Sequence, residues 1–129
     1  IFLLVMSLFT IDASPLLQLP VGSISEFHFE QEIPADTWDD LICEEPLSMD
    51  IKLVRQDYGI NCIIWSLSTT ITIPSESIEH KSLELENISR EFHLKKAPTD
   101  TDDIEYVDTH DATVDLANIV EQELLIAGL

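Results

Sequence analysis

The chain has 129 residues, with 25 Asp or Glu, six Lys or Arg and a formal net charge of -19 at pH 7. This length suits one domain, and a hydrophobic content of 45% argues against an intrinsically disordered chain. Affinity for nucleic acid comes largely from Lys and Arg that displace counterions from phosphates. A surface this negative therefore argues against direct nucleic-acid binding.

The charge is unevenly distributed along the chain. Residues 1–51 contain ten acids and no Lys or Arg, residues 52–96 contain all six bases against six acids, and residues 97–129 contain nine acids and no base. Two strongly negative ends predict attraction to a basic protein, at a rate that falls as salt rises. The alternative is that the charge serves solubility alone.

The first nine residues form an apolar run that is too short to span a bilayer. The run has no basic start and no small-residue cleavage site, so a signal peptide is not expected. We assign residues 1–10 to an apolar leader or to upstream residues, and residues 11–129 to a single domain. Cys43 and Cys62 are too few and too far apart for a disulfide framework or a zinc knuckle. We therefore expect reduced cysteines and a cytoplasmic protein.

The first third of the chain predicts short elements separated by prolines. Ser14 and Pro15 predict the start of one helical turn, which Pro20 ends. Ile24–Glu30 alternates in polarity and predicts a strand. The polar segment Pro34–Cys43 predicts a loop with a helical turn.

The middle of the chain predicts a β-hairpin. Polarity alternates from Leu47 to Leu53, Asp57-Tyr58-Gly59 supplies turn residues, and a long β-forming run follows until Pro74 ends it. We place Thr70 on the outer face of the second strand. The residues expected on its core face are Ile63, Trp65, Leu67, Thr69, Ile71 and Ile73.

The last third predicts two further strands and a helix. Ser82–Glu86 and Ser89–Leu94 are short and amphipathic, and residues 97–111 predict an exposed acidic segment. Asp115 is expected to cap a helix whose apolar side chains recur at helical spacing. Strands followed by a final helix favour the α+β class. We predict an antiparallel β-sheet, open or barrel-like, with a central hairpin and a C-terminal helix that covers it.

The residue patterns of catalytic and metal sites are missing. The acidic run that starts at Asp100 lacks the glycine and the final glutamate of a calcium-binding EF-hand loop. The four histidines form no metal-binding pair at helical spacing, and no nucleophile elbow or phosphate-binding glycine loop is present. A cysteine–histidine pair stays open, but we expect Cys62 to be buried and inert among large apolar residues. We predict no catalytic residue, no metal and no cofactor.

Two groups of acids are candidate partner-binding residues. Trp38 is flanked by Asp36, Asp39 and Asp40, and an exposed indole surrounded by carboxylates would suit a basic, partly apolar partner. The indole could also pack in the core. The second group lies in the acidic segment near the C-terminus and consists of Asp100, Asp102, Asp103 and Asp108.

Four segments share the order and spacing of motifs in one known family. Ile11–Phe29 combines a leucine-rich turn, a P-V-G-S turn and a strand, and Glu45–Ser68 contains a hairpin with an R-x-x-x-G bend. Arg90–Phe92 is similar to an E-E-F strand, and Asp115–Gly128 is similar to a D-L-x-x-x-V-x-E-E-L-L-L-A-L helix. From Ile11 onward the chain therefore resembles the YceD-like proteins, which support accumulation of large-subunit ribosomal RNA.

The chain departs from that family at two places. Many members carry a C-x-R-C motif just after the hairpin, where this chain has Pro74–Ser77 with neither cysteine and no arginine. If the family motif binds metal or RNA, that ability is lost here. Many members also continue into a cysteine-rich tail, whereas this sequence stops at Leu129, which predicts a short form or a truncated chain.

The resemblance implies a role in accumulation of large-subunit ribosomal RNA without established catalysis. Together with the charge, it predicts a non-enzymatic ribosome-biogenesis factor that binds a basic ribosomal protein or assembly factor. The alternative is an acidic interaction module or a nucleic-acid-mimicking inhibitor of a basic protein. A hydrolase is a more distant third hypothesis.

Overall fold

The computed structural model describes residues 4–7, 9–94, 104–106 and 113–129, with side chains for residues 9–94 and 113–129. A short 3-10 turn, Pro74–Glu76, follows the longest strand. The strands are β1 (Leu4–Ser7), β2 (Thr10–Asp12), β3 (Ile24–Gln31), β4 (Ile42–Cys43), β5 (Leu47–Gln56), β6 (Gly59–Ile73), β7 (Ile78–Leu85), β8 (Ile88–His93), β9 (Ile104–Tyr106) and β10 (Thr113–Asp115), and the helices are α1 (Ser14–Leu17) and α2 (Ala117–Gly128).

The central hairpin is confirmed, with β5 and β6 joined by a two-residue turn. The Arg55 guanidinium nitrogen Nη1 donates to the carbonyl oxygen of Gly59 at 3.1 Å and thereby braces the turn. Gly59 has a φ of 149°, which side-chain-bearing residues rarely adopt. Arg55 Nη1 also donates to the carbonyl oxygen of Gln56, so two side-chain hydrogen bonds and one glycine conformation hold the R-x-x-x-G bend. β6 ends directly before Pro74, as expected.

The core face of β6 changes phase part-way along the strand. Cys62 and Ile64 are buried, and the next buried side chain is Leu67. The intervening Trp65 is 47% exposed, so our assignment of this indole to the core face is wrong. A one-residue shift of this kind is the pattern that a β-bulge produces. Thr70, expected on the outer face, is only 7% exposed.

The chain divides into two compact units. The first contains residues 1–27, 52–63 and 88–116. Within it, β2 pairs antiparallel with β1 on one side and with β10 on the other, while β8 and β9 pair in parallel. Residues 4–7, which we assigned to a leader or upstream segment, form β1 in this sheet.

The second unit contains residues 28–51, 64–87 and 117–129, and every one of them is described. β4 and β7 pair antiparallel with the second half of β6, and α2 packs against β7. The helix buries Ile119, Val120 and Leu124. Gly128 lies so close to the side chains of Ile71 and Ile73 that a Cβ there would come within 2.7 Å of the first and 2.9 Å of the second.

The predicted α+β class, with a mostly antiparallel sheet and a C-terminal helix, is confirmed. The order of the larger sheet is β3-β5-β6-β8-β9, and over the described strands both sheets are open. Asp115 is the last residue of β10, and α2 begins at Ala117, so the cap position is Leu116 and the predicted one is a residue early. The assignment of residues 11–129 to one domain stays a prediction. No helix among the described residues is long and apolar enough to cross a membrane.

Candidate functional site

The loop between β3 and β4 displays three aspartates. Asp36, Asp39 and Asp40 are exposed, as expected for a partner-binding group. Trp38 between them is only 9% exposed, so our prediction of an exposed indole is wrong. The indole packs inward together with Leu41. The buried Trp and Leu anchor the loop, and the three aspartates are left facing solvent.

The α2 helix adds a carboxylate to this loop. Burial raises the pKa of Glu121, and the neighbouring negative charges of Asp40 and Asp39 raise it further. A carboxyl group responds in this way when like charges stand close to it. Nothing in the sequence spacing links Glu121 to residues some eighty positions earlier, so the sequence does not predict this approach.

The second unit concentrates the negative charge of the protein. It contains fourteen Asp or Glu, one Lys and no Arg. The single lysine, Lys81, donates from its amine to the carbonyl oxygen of Gly128 at 2.9 Å. Two histidines belong to the unit, and a 2.8 Å hydrogen bond to Asp50 raises the pKa of His28. The only Lys or Arg of this unit is therefore bound to a helix end.

The chain leaves the strand conformation between β4 and β5, in a break at residues 44–46. Pro46 has no backbone N–H to donate to a strand ladder. The chain stays attached to β6 by other bonds, since the Thr69 hydroxyl donates to the carbonyl oxygen of Glu45 at 3.0 Å. The backbone N–H of Glu44 also donates to the carbonyl oxygen of Thr70, at 2.7 Å.

One open groove lies at this break, between the segment that precedes β5 and the strands β6 and β7. It has a volume of about 200 Å³. We call it the hydroxyl groove, and its polar lining consists of Glu45, Ser68, Thr69, Thr70, Ser82 and Glu84. The hydroxyl oxygens of Thr70 and Ser82 are 3.2 Å apart, which fixes their positions across the two strands.

A second groove, of about 210 Å³, adjoins the same break. Glu32, Ile33, Cys43 and Glu44 line it, and Glu45 lines both grooves. We call it the Cys43 groove. Its carboxylates belong to the same unit, whose single lysine is bound to Gly128.

The two thiols are poor nucleophiles. Burial raises the pKa of Cys62 to about 12. Burial also raises the pKa of Cys43. Because the thiolate is the reactive form, neither thiol is activated. Across the residues that the structure describes, no three His, Cys, Asp or Glu side chains are grouped so as to hold a metal ion.

The second predicted group of acids, Asp100, Asp102, Asp103 and Asp108, lies outside the described residues. The acids of the grooves and of α2 were not among the residues predicted from the sequence. Glu45 lies in the bend before β5 and Glu84 lies in β7, and only the contacts of β6 with both segments bring them to one groove. The chain matches no protein-family model, no curated protein and no solved structure.

Proposed function

We propose that the protein is a non-enzymatic ribosome-biogenesis factor that acts in the cytoplasm by binding a basic ribosomal protein or assembly factor. One observation carries the binding part of this proposal. The second unit presents fourteen carboxylates, and its single lysine is hydrogen-bonded to the end of α2. Such a surface attracts positively charged proteins over long range and repels nucleic-acid phosphates.

The ribosomal part of the proposal rests on the sequence resemblance. Segments from Ile11 to Gly128 follow the YceD-like order, and that family supports accumulation of large-subunit ribosomal RNA. The Arg55 to Gly59 hydrogen bond gives the shared R-x-x-x-G bend a structural role in the hairpin turn. This hydrogen bond supports a scaffold in common with the YceD-like proteins, whereas the negative charge supports a basic protein as the partner.

The exposed aspartates of the Trp38 loop are the first residues to test. Neutralising Asp36, Asp39 and Asp40 to Asn removes three charges while Trp38 and Leu41 keep the loop anchored. Capture of basic proteins from lysate by the tagged full chain should weaken in this variant and weaken further as salt rises. The matching variant at Asp100, Asp102, Asp103 and Asp108 tests the second predicted group.

The identity of the captured proteins decides the proposal. Co-sedimentation of the chain with precursor large subunits, and capture of large-subunit ribosomal proteins, would support it. Capture of no large-subunit protein at low salt would contradict it. A captured basic enzyme that DNA or RNA displaces would instead support the alternative, a nucleic-acid-mimicking inhibitor.

A further inference from the structure

We propose that the hydroxyl groove binds an arginine side chain from a basic protein segment. This inference rests on the proposed function and names the place where the basic partner is held. The groove combines a hydroxyl-lined floor with carboxylates at its edge, and these are the acceptors that a guanidinium needs. It belongs entirely to the second unit, which contains no Arg and only one Lys.

Strand register explains why the polar groups converge. Ser68 pairs with Glu84, and Thr70 pairs with Ser82. These four residues are two apart along each strand, so their side chains project from the same face of the sheet. Their acceptor oxygens therefore line one continuous strip.

The bound lysine faces away from that strip. Ile71 pairs with Lys81, one position along from the Thr70 and Ser82 pair, so both project from the opposite face. On that face the Ile71 side chain meets Gly128, whose carbonyl oxygen accepts from the Lys81 amine. The unit's one lysine is therefore held on the α2 side and does not neutralise Glu45 or Glu84.

The groove has the size and the polarity for a planar cation. Its volume of about 200 Å³ is several times the ~30 Å³ share of one water in the liquid, so a side chain fits. Thr70 is more than nine-tenths buried, and its hydroxyl oxygen lies 3.2 Å from that of Ser82 on the same face. The acceptors are thus fixed before a ligand arrives. Guanidinium presents five donors in a rigid plane, whereas a lysine amine presents three on a flexible stem, so arginine is preferred.

A matched pair of double variants tests the groove. Glu45→Gln with Glu84→Gln removes two charges from its edge and keeps the Glu45 carbonyl that Thr69 needs. Glu76→Gln with Glu79→Gln removes two charges from exposed positions of the same unit that do not line it. The probe is an acetylated and amidated peptide of alternating Arg and Thr. Its affinity is measured by fluorescence anisotropy at low salt, and the same peptide with citrulline replacing every arginine is the uncharged control.

We expect the groove variant to weaken peptide binding about fivefold to tenfold and the control variant less than twofold. The citrulline peptide should not bind, and a lysine peptide should bind more weakly than the arginine peptide. In wild-type protein, the amide NMR shifts caused by the arginine peptide should centre on residues 68–70 and 82–84. Equal weakening in the two variants, shifts centred elsewhere, or no binding to wild type would overturn the inference.

Failure of the groove assignment and failure of the proposed function give different experimental outcomes. If the groove variant still captures large-subunit ribosomal proteins as wild type does, the groove assignment fails and the proposed function stands. If wild-type protein captures none of them, the proposed function fails whatever the peptide does. A thermal unfolding curve for each variant shows whether a lost signal comes from a lost fold.

Discussion

The amine of Lys81 and the carbonyl oxygen of Gly128 are 2.9 Å apart, which joins β7 to the last residue of α2. The final carbonyls of a helix have no partner within the helix and carry partial negative charge. A lysine from a neighbouring strand satisfies one of them here. The only base of a very acidic unit is thus committed to a structural contact.

Replacing Lys81 should lower the stability of the protein without weakening its binding to a basic partner. Lys81→Met keeps most of the apolar stem but removes the charge at the helix end, so we expect a loss of about 0.3–1 kcal/mol at low salt. Urea unfolding with Lys52→Met as the charge control measures it. A loss no greater than that of the control would show that the Lys81 to Gly128 contact contributes nothing to stability.

Gly59 should tolerate no side chain. A Cβ at this position would lie 2.1 Å from the backbone carbonyl oxygen of Phe92, and its φ of 149° is strained for any other residue. Gly59→Ala should therefore cost roughly 3 kcal/mol or more, because both the turn and β8 must shift.

Gly22 provides the matched control for that substitution. It also has a positive φ, of 95°, but a Cβ there meets nothing within 4 Å. Gly22→Ala should cost about 1 kcal/mol through backbone strain alone. Chemical denaturation of the two variants separates the cost of backbone strain from the cost of the steric clash with Phe92. Equal losses of stability would contradict the close approach of Gly59 to Phe92.

Neighbouring residues on β6 should differ sharply in their response to truncation. Ile64 is 1% exposed and Trp65 is 47% exposed. Ile64→Ala should cost about 2–5 kcal/mol through lost burial and the cavity left behind. Trp65→Ala, although it removes a larger side chain, should cost about 1 kcal/mol or less. A larger loss at Trp65, measured by urea unfolding, would restore the original assignment of that residue to the core.

The sequence predicted the hairpin but not the faces of its second strand. Alternating polarity and turn residues act locally, so the bounds of β5 and β6 follow from them. Between Ile64 and Leu67 the buried face of the strand shifts by one residue. The sequence gives no sign of this shift, because Trp65 and its neighbours are all compatible with a strand. Counting every second residue through the change placed Trp65 on the wrong face.

The acidic surface was predictable only where its residues are adjacent in the chain. Asp36, Asp39 and Asp40 share one loop, and their exposure follows from composition. Flanking aspartates say nothing about how an indole packs, and Trp38 is buried because its large apolar area gains more from burial. Long-range contacts, which local patterns do not encode, create the hydroxyl groove and the approach of Glu121 to the loop.

The two cysteines should resist alkylation while the protein is folded. Burial raises the pKa of Cys62 to about 12, so almost no thiolate is present at pH 8. Cys43 also has a raised pKa but is 9% exposed against 2% for Cys62, so it should react first. Mass spectrometry after iodoacetamide treatment, with and without urea, measures both rates. Rapid labelling of Cys62 in the native protein would contradict its burial.

Glu121 should weaken the fold at neutral pH and cease to do so in acid. Its pKa is raised in the folded protein by burial and by the nearby Asp40 and Asp39, so the folded state holds its proton more tightly than the unfolded state. Stability linked to this group is therefore greatest below its unfolded pKa of about 4.3 and falls as pH rises through the raised folded value.

Glu121→Gln removes the charge that opposes folding. At pH 7 the variant should be more stable than wild type by a few tenths of a kcal/mol, since the group is partly exposed and solvent screens the repulsion. The difference should shrink as pH falls toward about 3.5, where Glu121 is protonated in both states. Glu79→Gln, at an exposed position of the same unit, is the control for general charge reduction. Urea unfolding at both pH values measures the gain in stability. A gain that is unchanged in acid, or equal to the gain from Glu79→Gln, would mean that the loop aspartates do not act on Glu121.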